Sequence, residues 1–223
     1  MGIQSNLTDF RSKLPPNVKL VAVSKTKPAL IISEALKTGH RIFGENKVQE
    51  LTDKQAQLPA DIEWHFIGHL QRNKVKFIAP FVAMIHAVDS LKLLAEINKH
   101  ALKNERIIDC LLQFHIAKES TKFGLDYDEA IELLENDHFK SFKNIRITGV
   151  MGMATFTENM SQVRDEFKLL KKYFDNLKKK YFSDASEFRE ISMGMSDDYQ
   201  IAIEEGSTII RVGTKIFGER NHI

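Results

Sequence analysis

Short apolar runs alternate with longer amphipathic segments along almost the whole chain. An amphipathic segment near residues 4–13 predicts a short opening helix, and eight compact apolar runs after it predict β-strands. The predicted strands cover residues 18–24, 41–43, 63–67, 82–88, 108–115, 145–151, 188–193 and 208–212. Several of these runs are apolar on both faces, which is typical of parallel strands that are covered by helices.

The segments between the runs have helical periodicity. The clearest one follows Met160, where lysines and acidic residues fill the face opposite an apolar stripe. The stripe consists of Val163, Phe167, Leu170, Phe174 and Leu177. The lysine run at 178–180 is interpreted as the solvated end of this helix rather than as a phosphate-binding patch.

Eight successive β/α units predict an α/β fold of the (β/α)8 TIM-barrel type. Such a barrel takes about 250 residues, so we expect residues 1–223 to form a single domain with an extra N-terminal helix. An open doubly wound sheet is the structural alternative. No proline-rich linker, low-complexity tract or internal repeat indicates a domain boundary.

Composition and charge narrow the classes of partner and compartment. Lys and Arg number 32 against 30 Asp and Glu, and this balance does not indicate binding to nucleic acid or to an anionic membrane. The single cysteine, Cys110, lies in an apolar run and reads as a small buried hydrophobic residue, which favours a reducing, cytoplasmic setting. No stretch approaches the roughly 18 apolar residues of a membrane-spanning helix, so we expect a soluble protein.

Polar residues and glycines collect where the predicted strands end. In (β/α)8 barrels the functional residues lie at the carboxyl ends of the strands, so we expect these residues to share one face. They are Ser24 and Lys25, residues 44–46, His65 and Gly68, Met151 and Gly152, residues 194–196, and residues 211–214.

The last two of these strand ends resemble a phosphate-binding cup. The loops after strands seven and eight of such barrels often bind phosphate through backbone N–H groups and a short helix N-terminus. Here they supply Ser196, Gly213 and Thr214. Alternatively, Ser196 only caps a helix over about 197–204. Because carboxylates would repel a phosphate, we expect Asp197 and Asp198 to face away from it.

Arg211 lies inside the strand TIIRVGT, where alternation places it on the same face as Ile209 and Gly213. A buried guanidinium needs an acceptor. That acceptor is either a carboxylate of the barrel or a bound ligand.

Lys25 ends the first predicted strand among apolar residues. Apolar surroundings and nearby cations disfavour the ammonium form of a lysine, which frees the amine to act as a nucleophile. An amine opposite a phosphate cup is the minimal equipment for binding pyridoxal 5′-phosphate (PLP). Lys25 is preferred over Lys27, because Lys27 precedes Pro28 and therefore belongs to the loop.

The motifs AVSKTKP, IFGENKVQEL, EWHFIGHLQRNK, GVMGMATF and ISMGMSDDYQIAIEEGSTIIRVGTKIFGER follow one another between residues 22 and 220. In this order they resemble the pyridoxal phosphate homeostasis proteins, a family of (β/α)8 barrels related to the N-terminal barrel domain of alanine racemase. The chain departs from the family pattern at Lys47, where a tyrosine is common, and at His115, where an asparagine is common.

The resemblance implies a set of PLP-binding residues. Lys25 would form the internal aldimine, and Arg211 would face the pyridine nitrogen, which keeps that nitrogen unprotonated and weakens the ring as an electron sink. Phosphate would be held by Ser196, Gly213 and Thr214. Asn46 and His65 would line the same mouth, together with Met151 at the end of strand six.

The expected function is to hold and release PLP in intracellular vitamin B6 homeostasis, without a catalytic activity of its own. Racemisation needs an acid and a base on opposite faces of the aldimine, and in the resembling racemases a tyrosine from another domain supplies the second group. The four tyrosines of this chain fall in helical segments away from the strand ends: Tyr127, Tyr173, Tyr181 and Tyr199. A weak PLP-dependent racemase is the alternative, and a Schiff-base aldolase acting on a sugar phosphate is a third class.

The expected partners are PLP itself and PLP-dependent apo-enzymes, and we expect a monomer because the chain has no obvious apolar surface stripe. A metal site is not expected. His65 and His69 flank a strand end rather than sharing a helical face, and no third ligand has a suitable spacing.

Overall fold

Eight parallel strands close into a barrel in the order in which they occur along the chain, β1 to β8, with β8 hydrogen-bonded back to β1. The structure is a computed structural model that describes residues 2–119 and 123–219. The strands are β1 Lys19–Val23, β2 Ile42–Glu45, β3 Glu63–Phe66, β4 Met84–Val88, β5 Ile108–Phe114, β6 Ile145–Gly152, β7 Glu190–Ser192 and β8 Ile209–Val212. The closed barrel confirms the predicted fold and rules out an open doubly wound sheet.

Helices follow the strands and cover the outside of the barrel. They are α1 Ile3–Ser12, α2 Ala29–Leu36, α3 Val48–Gln55, α4 Val75–Ile78, α5 Leu91–Lys103, α6 Tyr127–Glu135, α7 Asp137–Lys140, α8 Met160–Tyr181, α9 Tyr199–Glu204 and α10 Thr214–Phe217. A single 3₁₀ turn at Arg72–Lys74 precedes α4. The extra helix α1 packs on α2 and α10, where Asn6 donates a hydrogen bond to the carbonyl of Ile216.

The long helix α8 buries the apolar stripe that its sequence periodicity predicts, from Val163 to Leu177. Its lysine run ends the helix as predicted. The Lys178 ammonium donates to the carbonyl of Phe188, and Lys180 pairs with Glu135, so neither lines the cavity at the strand ends. No helix in the described part of the chain is long and apolar enough to cross a membrane.

Two apolar cores result from closing the sheet. The larger one lies between the barrel and its helices and contains Phe43, Trp64 and Cys110, whose thiol pKa is raised by burial. The smaller one lies within the barrel. It consists of Val21, Met84, Ala87, Leu111, Met151 and Ile209. The barrel interior is therefore only partly apolar, and the rest of it is filled by polar side chains.

Gly149 is required where β6 meets β7, because it lies opposite Glu190 and an added Cβ would approach the Glu190 carbonyl oxygen to 1.8 Å. Since that neighbour is strand backbone, it cannot move without disrupting the ladder. We expect Gly149→Ala to lower the free energy of unfolding in urea by at least about 3 kcal/mol.

The control is Gly39→Ala, where φ is 78° and no atom lies within 4 Å of the added Cβ. Backbone strain alone costs about 1–2 kcal/mol at such a site. Equal losses in the two variants would contradict the close approach at Gly149.

Candidate functional site

A cavity of about 410 Å³ opens at the carboxyl ends of the strands. The loops after β1, β2, β3, β6, β7 and β8 all contribute to it, so the predicted strand ends do converge on one face. Six of the eight predicted site residues line this cavity: Lys25, Asn46, Ser196, Arg211, Gly213 and Thr214.

His65 and Met151 do not line the cavity, and the expectation that they reach its mouth is corrected by the structure. The His65 ring lies inside the barrel against Glu63 and His86, and Met151 packs in the inner apolar core. Side chains of a strand point inward at every second residue. The next inward positions, Ile67 and Met153, are the ones that line the cavity.

Arg211 is buried, with 4% of its surface exposed, and is held by two neutral acceptors. It donates to the Ser192 hydroxyl at 2.6 Å and to the Gly152 carbonyl at 3.1 Å. Burial lowers the pKa of the guanidinium to about 10, against the opposing effect of Asp198. Within residues 2–119 and 123–219 no carboxylate forms an ion pair with it. The prediction that a carboxylate of the barrel pairs with Arg211 is therefore wrong. The charge of the guanidinium instead faces the cavity, which has room for an acceptor ligand.

The predicted phosphate cup is formed by two adjacent loops. The Thr214 hydroxyl donates to the Ser196 hydroxyl at 3.0 Å, which joins the loop after β7 to the loop after β8. Helix α10 begins at Thr214, and the first N–H groups of a helix have no intrahelical partner. A Cβ on Gly213 would come within 3.0 Å of the Val23 carbonyl oxygen, so the close approach to β1 favours glycine.

The loop after β7 differs from expectation in two respects. Helix α9 begins only at Tyr199, its N-cap is Asp198, and Ser196 does not cap it. The Asp198 carboxylate accepts from the Met195 backbone N–H and stays out of the cavity, as expected. Asp197 lines the cavity, so the expectation that both aspartates turn away is not met there.

Lys25 lies on a turn whose flanking residues are both anchored. The Ser24 hydroxyl donates to Glu45 at 2.6 Å, and the Ser24 carbonyl accepts from the Lys54 ammonium at 3.0 Å. On the other side the Thr26 N–H donates to Glu50 at 2.7 Å, and Thr26 has a φ of 65°, which few non-glycine residues adopt. These bonds hold the backbone of Lys25 against β2 and α3.

The anchors form a buried charged cluster that the sequence analysis missed. The Lys54 ammonium lies 2.7 Å from Glu45 and 3.2 Å from Glu50. Burial raises the pKa of Glu45 against the opposing effect of Lys54, and one of its carboxylate oxygens has no partner among the described residues. The i, i+4 spacing of Glu50 and Lys54 was the one sequence feature that could have indicated this ion pair.

Apolar side chains surround the entrance to the cavity. Phe123, Phe156 and Met195 are exposed and line it, and Phe123 stacks on the His69 ring with 4.4 Å between centroids. Gln113 supports this edge by donating to the Phe123 carbonyl. Met195 falls within the predicted strand end at 194–196, whereas Phe123 and Phe156 were not predicted, because they lie in loops without a distinctive pattern.

The remaining sequence expectations concern residues around the site. None of the four tyrosines, all of them in the described chain, lines the cavity. Lys27 lies in the loop as predicted but lines the cavity too, where its ammonium donates to the Glu219 carbonyl. Lys47 precedes α3 and His115 contacts the Glu119 carbonyl, and neither lines the cavity. No cluster of three potential metal ligands occurs within the described residues.

Removal of the Lys54 ammonium should destabilise the fold through Glu45. In Lys54→Met the buried Glu45 loses its cation, and we expect a loss of about 3–5 kcal/mol at pH 8. A carboxyl with a raised pKa in the folded state contributes stability below its unfolded pKa and loses it as the pH rises. The deficit should therefore be smaller at pH 5 than at pH 8, as measured by urea unfolding.

Lys37→Met is the matched control, because Lys37 pairs with Glu34 at the surface. It should cost no more than about 0.5 kcal/mol at either pH. A pH-independent deficit in Lys54→Met would show that Glu45 does not carry the effect.

Comparison with known proteins adds to this geometry. Residues 2–221 match the model of the family described as alanine racemase, N-terminal domain. A pyridoxal phosphate homeostasis protein of Aquifex aeolicus is 40% identical over 205 residues, which cover 92% of this chain and 88% of that protein.

Solved structures resemble the chain over almost its full length. PipY of Synechococcus elongatus, determined with PLP bound, superposes with a TM-score of 0.87 at 36% identity and covers 97% of this chain and 100% of that one. Alanine racemase of Clostridium difficile shares the fold, with a TM-score of 0.75 at 14% identity over 57% of its length. The chain belongs to the family of pyridoxal phosphate homeostasis proteins, built on the barrel of the alanine racemase N-terminal domain.

Proposed function

We propose that this protein binds PLP covalently through Lys25 and serves PLP homeostasis without catalysing a reaction of its own. The observation that carries the proposal is that Lys25, Arg211 and the Ser196–Thr214 hydroxyl pair line one cavity. The PLP-bound state of PipY and the shared name of the curated relatives support it.

Each group of the cofactor has a matching group in the cavity. PLP supplies an aldehyde, which condenses with the amine of Lys25 to form an aldimine. The hydroxyls of Ser196 and Thr214 and the N–H groups at the start of α10 bind the phosphate. Arg211 is always a donor, so it leaves a facing pyridine nitrogen unprotonated and weakens the electron sink that catalysis would need. Asn46 completes the polar wall.

Holding rather than turnover is supported by two further titratable residues of the cavity, Lys27 and His69. Racemisation requires a second proton-transfer group opposite Lys25. Lys27 is engaged by the Glu219 carbonyl, and His69 is engaged by Phe123 and by Asp89 at 3.4 Å. Neither is positioned by a buried hydrogen bond, as a preorganised acid or base would be.

The open entrance suits delivery of PLP to other proteins. Phe123 and Phe156, which are 58% and 87% exposed, stand at its edge. We propose that the protein is a cytoplasmic monomer that passes PLP to apo-enzymes, with this apolar edge facing the recipient.

The covalent link is tested by comparing Lys25→Ala with Lys27→Ala. Protein loaded with PLP should show the visible absorption band of an aldimine, and borohydride reduction should attach the cofactor mass to the peptide containing Lys25. Lys25→Ala should lose both signals. Lys27→Ala should keep them, because Lys27 lies in the neighbouring loop and does not form the covalent link. Reduction onto Lys27 in the wild type would refute the assignment, and a sugar-phosphate adduct would favour an aldolase.

The absence of turnover is tested with single amino-acid enantiomers in deuterated water. We expect exchange at the α-carbon no faster than with free PLP at the same concentration, because neither Lys27 nor His69 is preorganised as a second proton-transfer group. The measurement is mass spectrometry of the amino acid. Faster exchange that disappears in Lys25→Ala would instead establish the racemase alternative.

A further inference from the structure

A continuous line of polar side chains runs through the interior of the barrel, from Arg211 at the cavity to Glu63 at the opposite face. The Arg211 guanidinium lies 2.6 Å from the Ser192 hydroxyl, and that hydroxyl lies 2.9 Å from Nδ1 of His86. Nε2 of His86 lies 2.9 Å from Nδ1 of His65, and Nε2 of His65 lies 3.1 Å from the Glu63 carboxylate.

The line of polar side chains is buried along its length and exposed to solvent at its Glu63 end. Ser192, His86 and His65 have no exposed surface, whereas 49% of the Glu63 side chain is exposed. Glu63 is the first residue of β3, so it lies at the amino ends of the strands, away from the cavity. None of these four residues lines the cavity.

For two neutral rings, the carboxylate at the Glu63 end imposes one direction on every hydrogen bond of the line. A guanidinium only donates, so the Ser192 oxygen accepts from Arg211, and the Ser192 hydroxyl donates to Nδ1 of His86, which is the acceptor nitrogen of that ring. His86 then carries its proton on Nε2 and donates to Nδ1 of His65. His65 in turn carries its proton on Nε2 and donates to Glu63, which accepts as a carboxylate.

The surrounding charges agree with this arrangement. Burial, together with the charge of the nearby Arg211, holds the pKa of His86 well below its usual range, so the ring is neutral. The pKa of Glu63 is lowered, chiefly by its hydrogen bond to His65 and also by Lys19, so it stays ionised.

We propose that Ser192, His86, His65 and Glu63 are positioning residues for Arg211, fixing its guanidinium towards the cavity through a tautomer-specific hydrogen-bond line that ends at the far face of the barrel. Without the Glu63 charge, His65 is free to exchange tautomers, and His86 must follow because Nε2 of His86 faces Nδ1 of His65 and only one of the two nitrogens can carry the shared proton. The Ser192 oxygen would then accept from both His86 and Arg211, and the hold on Arg211 would loosen. The effect on cofactor binding rests on the proposed function, but the tautomer order does not.

The tautomers can be read in the full-length protein without PLP by long-range ¹H–¹⁵N NMR of ¹⁵N-histidine-labelled samples. In the wild type we expect His65 and His86 both to be protonated on Nε2 alone. Glu63→Gln, at a half-exposed position that tolerates the change, should give mixed tautomers in both rings, although Glu63 does not touch His86. Asp61→Asn removes a surface carboxylate paired with Arg41 and should change neither ring.

A second measurement connects the line to the cavity by titrating PLP. Ser192→Ala and Glu63→Gln should each weaken PLP binding by roughly three- to tenfold, since a hydrogen bond to a charged group is lost or loosened. Ser207→Ala is the matched control, because Ser207 is equally buried but bonds only to backbone carbonyls, and it should not change the affinity.

Protonation of either wild-type ring on Nδ1, or a Glu63→Gln effect confined to His65, would overturn the line. Unchanged PLP affinity in both variants, with the wild type binding normally, would overturn the positioning role. If the wild type binds no PLP, the proposed function fails, while the NMR experiment still tests the line.

Discussion

Pairing of the first strand with the last is the interaction on which the rest of the molecule depends. In the register of this pair Val21 lies beside Arg211 and Ala22 beside Val212. Continuing this register places Val23 beside Gly213 and Ser24 beside Thr214, so that Lys25 lines the same cavity as residues almost the whole chain away. Closure of the barrel therefore creates the cavity, and any shift in this register would separate the amine from the cup.

Closure of the barrel also buries polar side chains. Two buried cations, Arg211 and Lys54, have different kinds of partner. Arg211 is held by a hydroxyl and a carbonyl, and its charge remains available to the cavity. Lys54 is neutralised by carboxylates behind the turn that carries Lys25. The cation without an ionic partner among the described residues lines the cavity, whereas the paired cation lies where the backbone is fixed. This contrast distinguishes the cavity-lining cation from the supporting one more clearly than exposure does, since both side chains are buried.

The architecture could be predicted from the sequence, because apolar runs and helical periodicity are both local patterns along the chain. Strands β1 to β8 all overlap the predicted apolar runs, with β2 and β6 extending past theirs, and the stripe of α8 follows directly from its periodicity. Cavity-lining residues were predicted where a strand end and a distinctive residue coincide, as at Lys25 and Arg211. His65 and Met151 were placed wrongly, because both pack inside the barrel. Which inward-pointing residue of a strand is the first to face the cavity depends on how far that strand continues, and the sequence pattern does not show this.

The rest could not be read from the sequence, because it depends on pairs of residues brought together only by folding. Glu45 and Lys54 look like ordinary charged residues until β2 and α3 meet. Ser192, His86 and His65 come from three strands, and no spacing along the chain relates them. Phe123 and Phe156 lie in loops whose course no local pattern determines.

The anchoring of the turn around Lys25 has a consequence for how such proteins diverge. Ser24 and Thr26 are hydrogen-bonded to Glu45, Glu50 and Lys54, so the position of Lys25 is set by residues that do not line the cavity. Homologues that replace the cation at position 54 should also replace the acid at position 45, because either change alone leaves an uncompensated charge in the interior. Covariation of positions 45 and 54 would show that the backbone position of residue 25 is maintained among homologues, which is a separate matter from whether residue 25 remains a lysine.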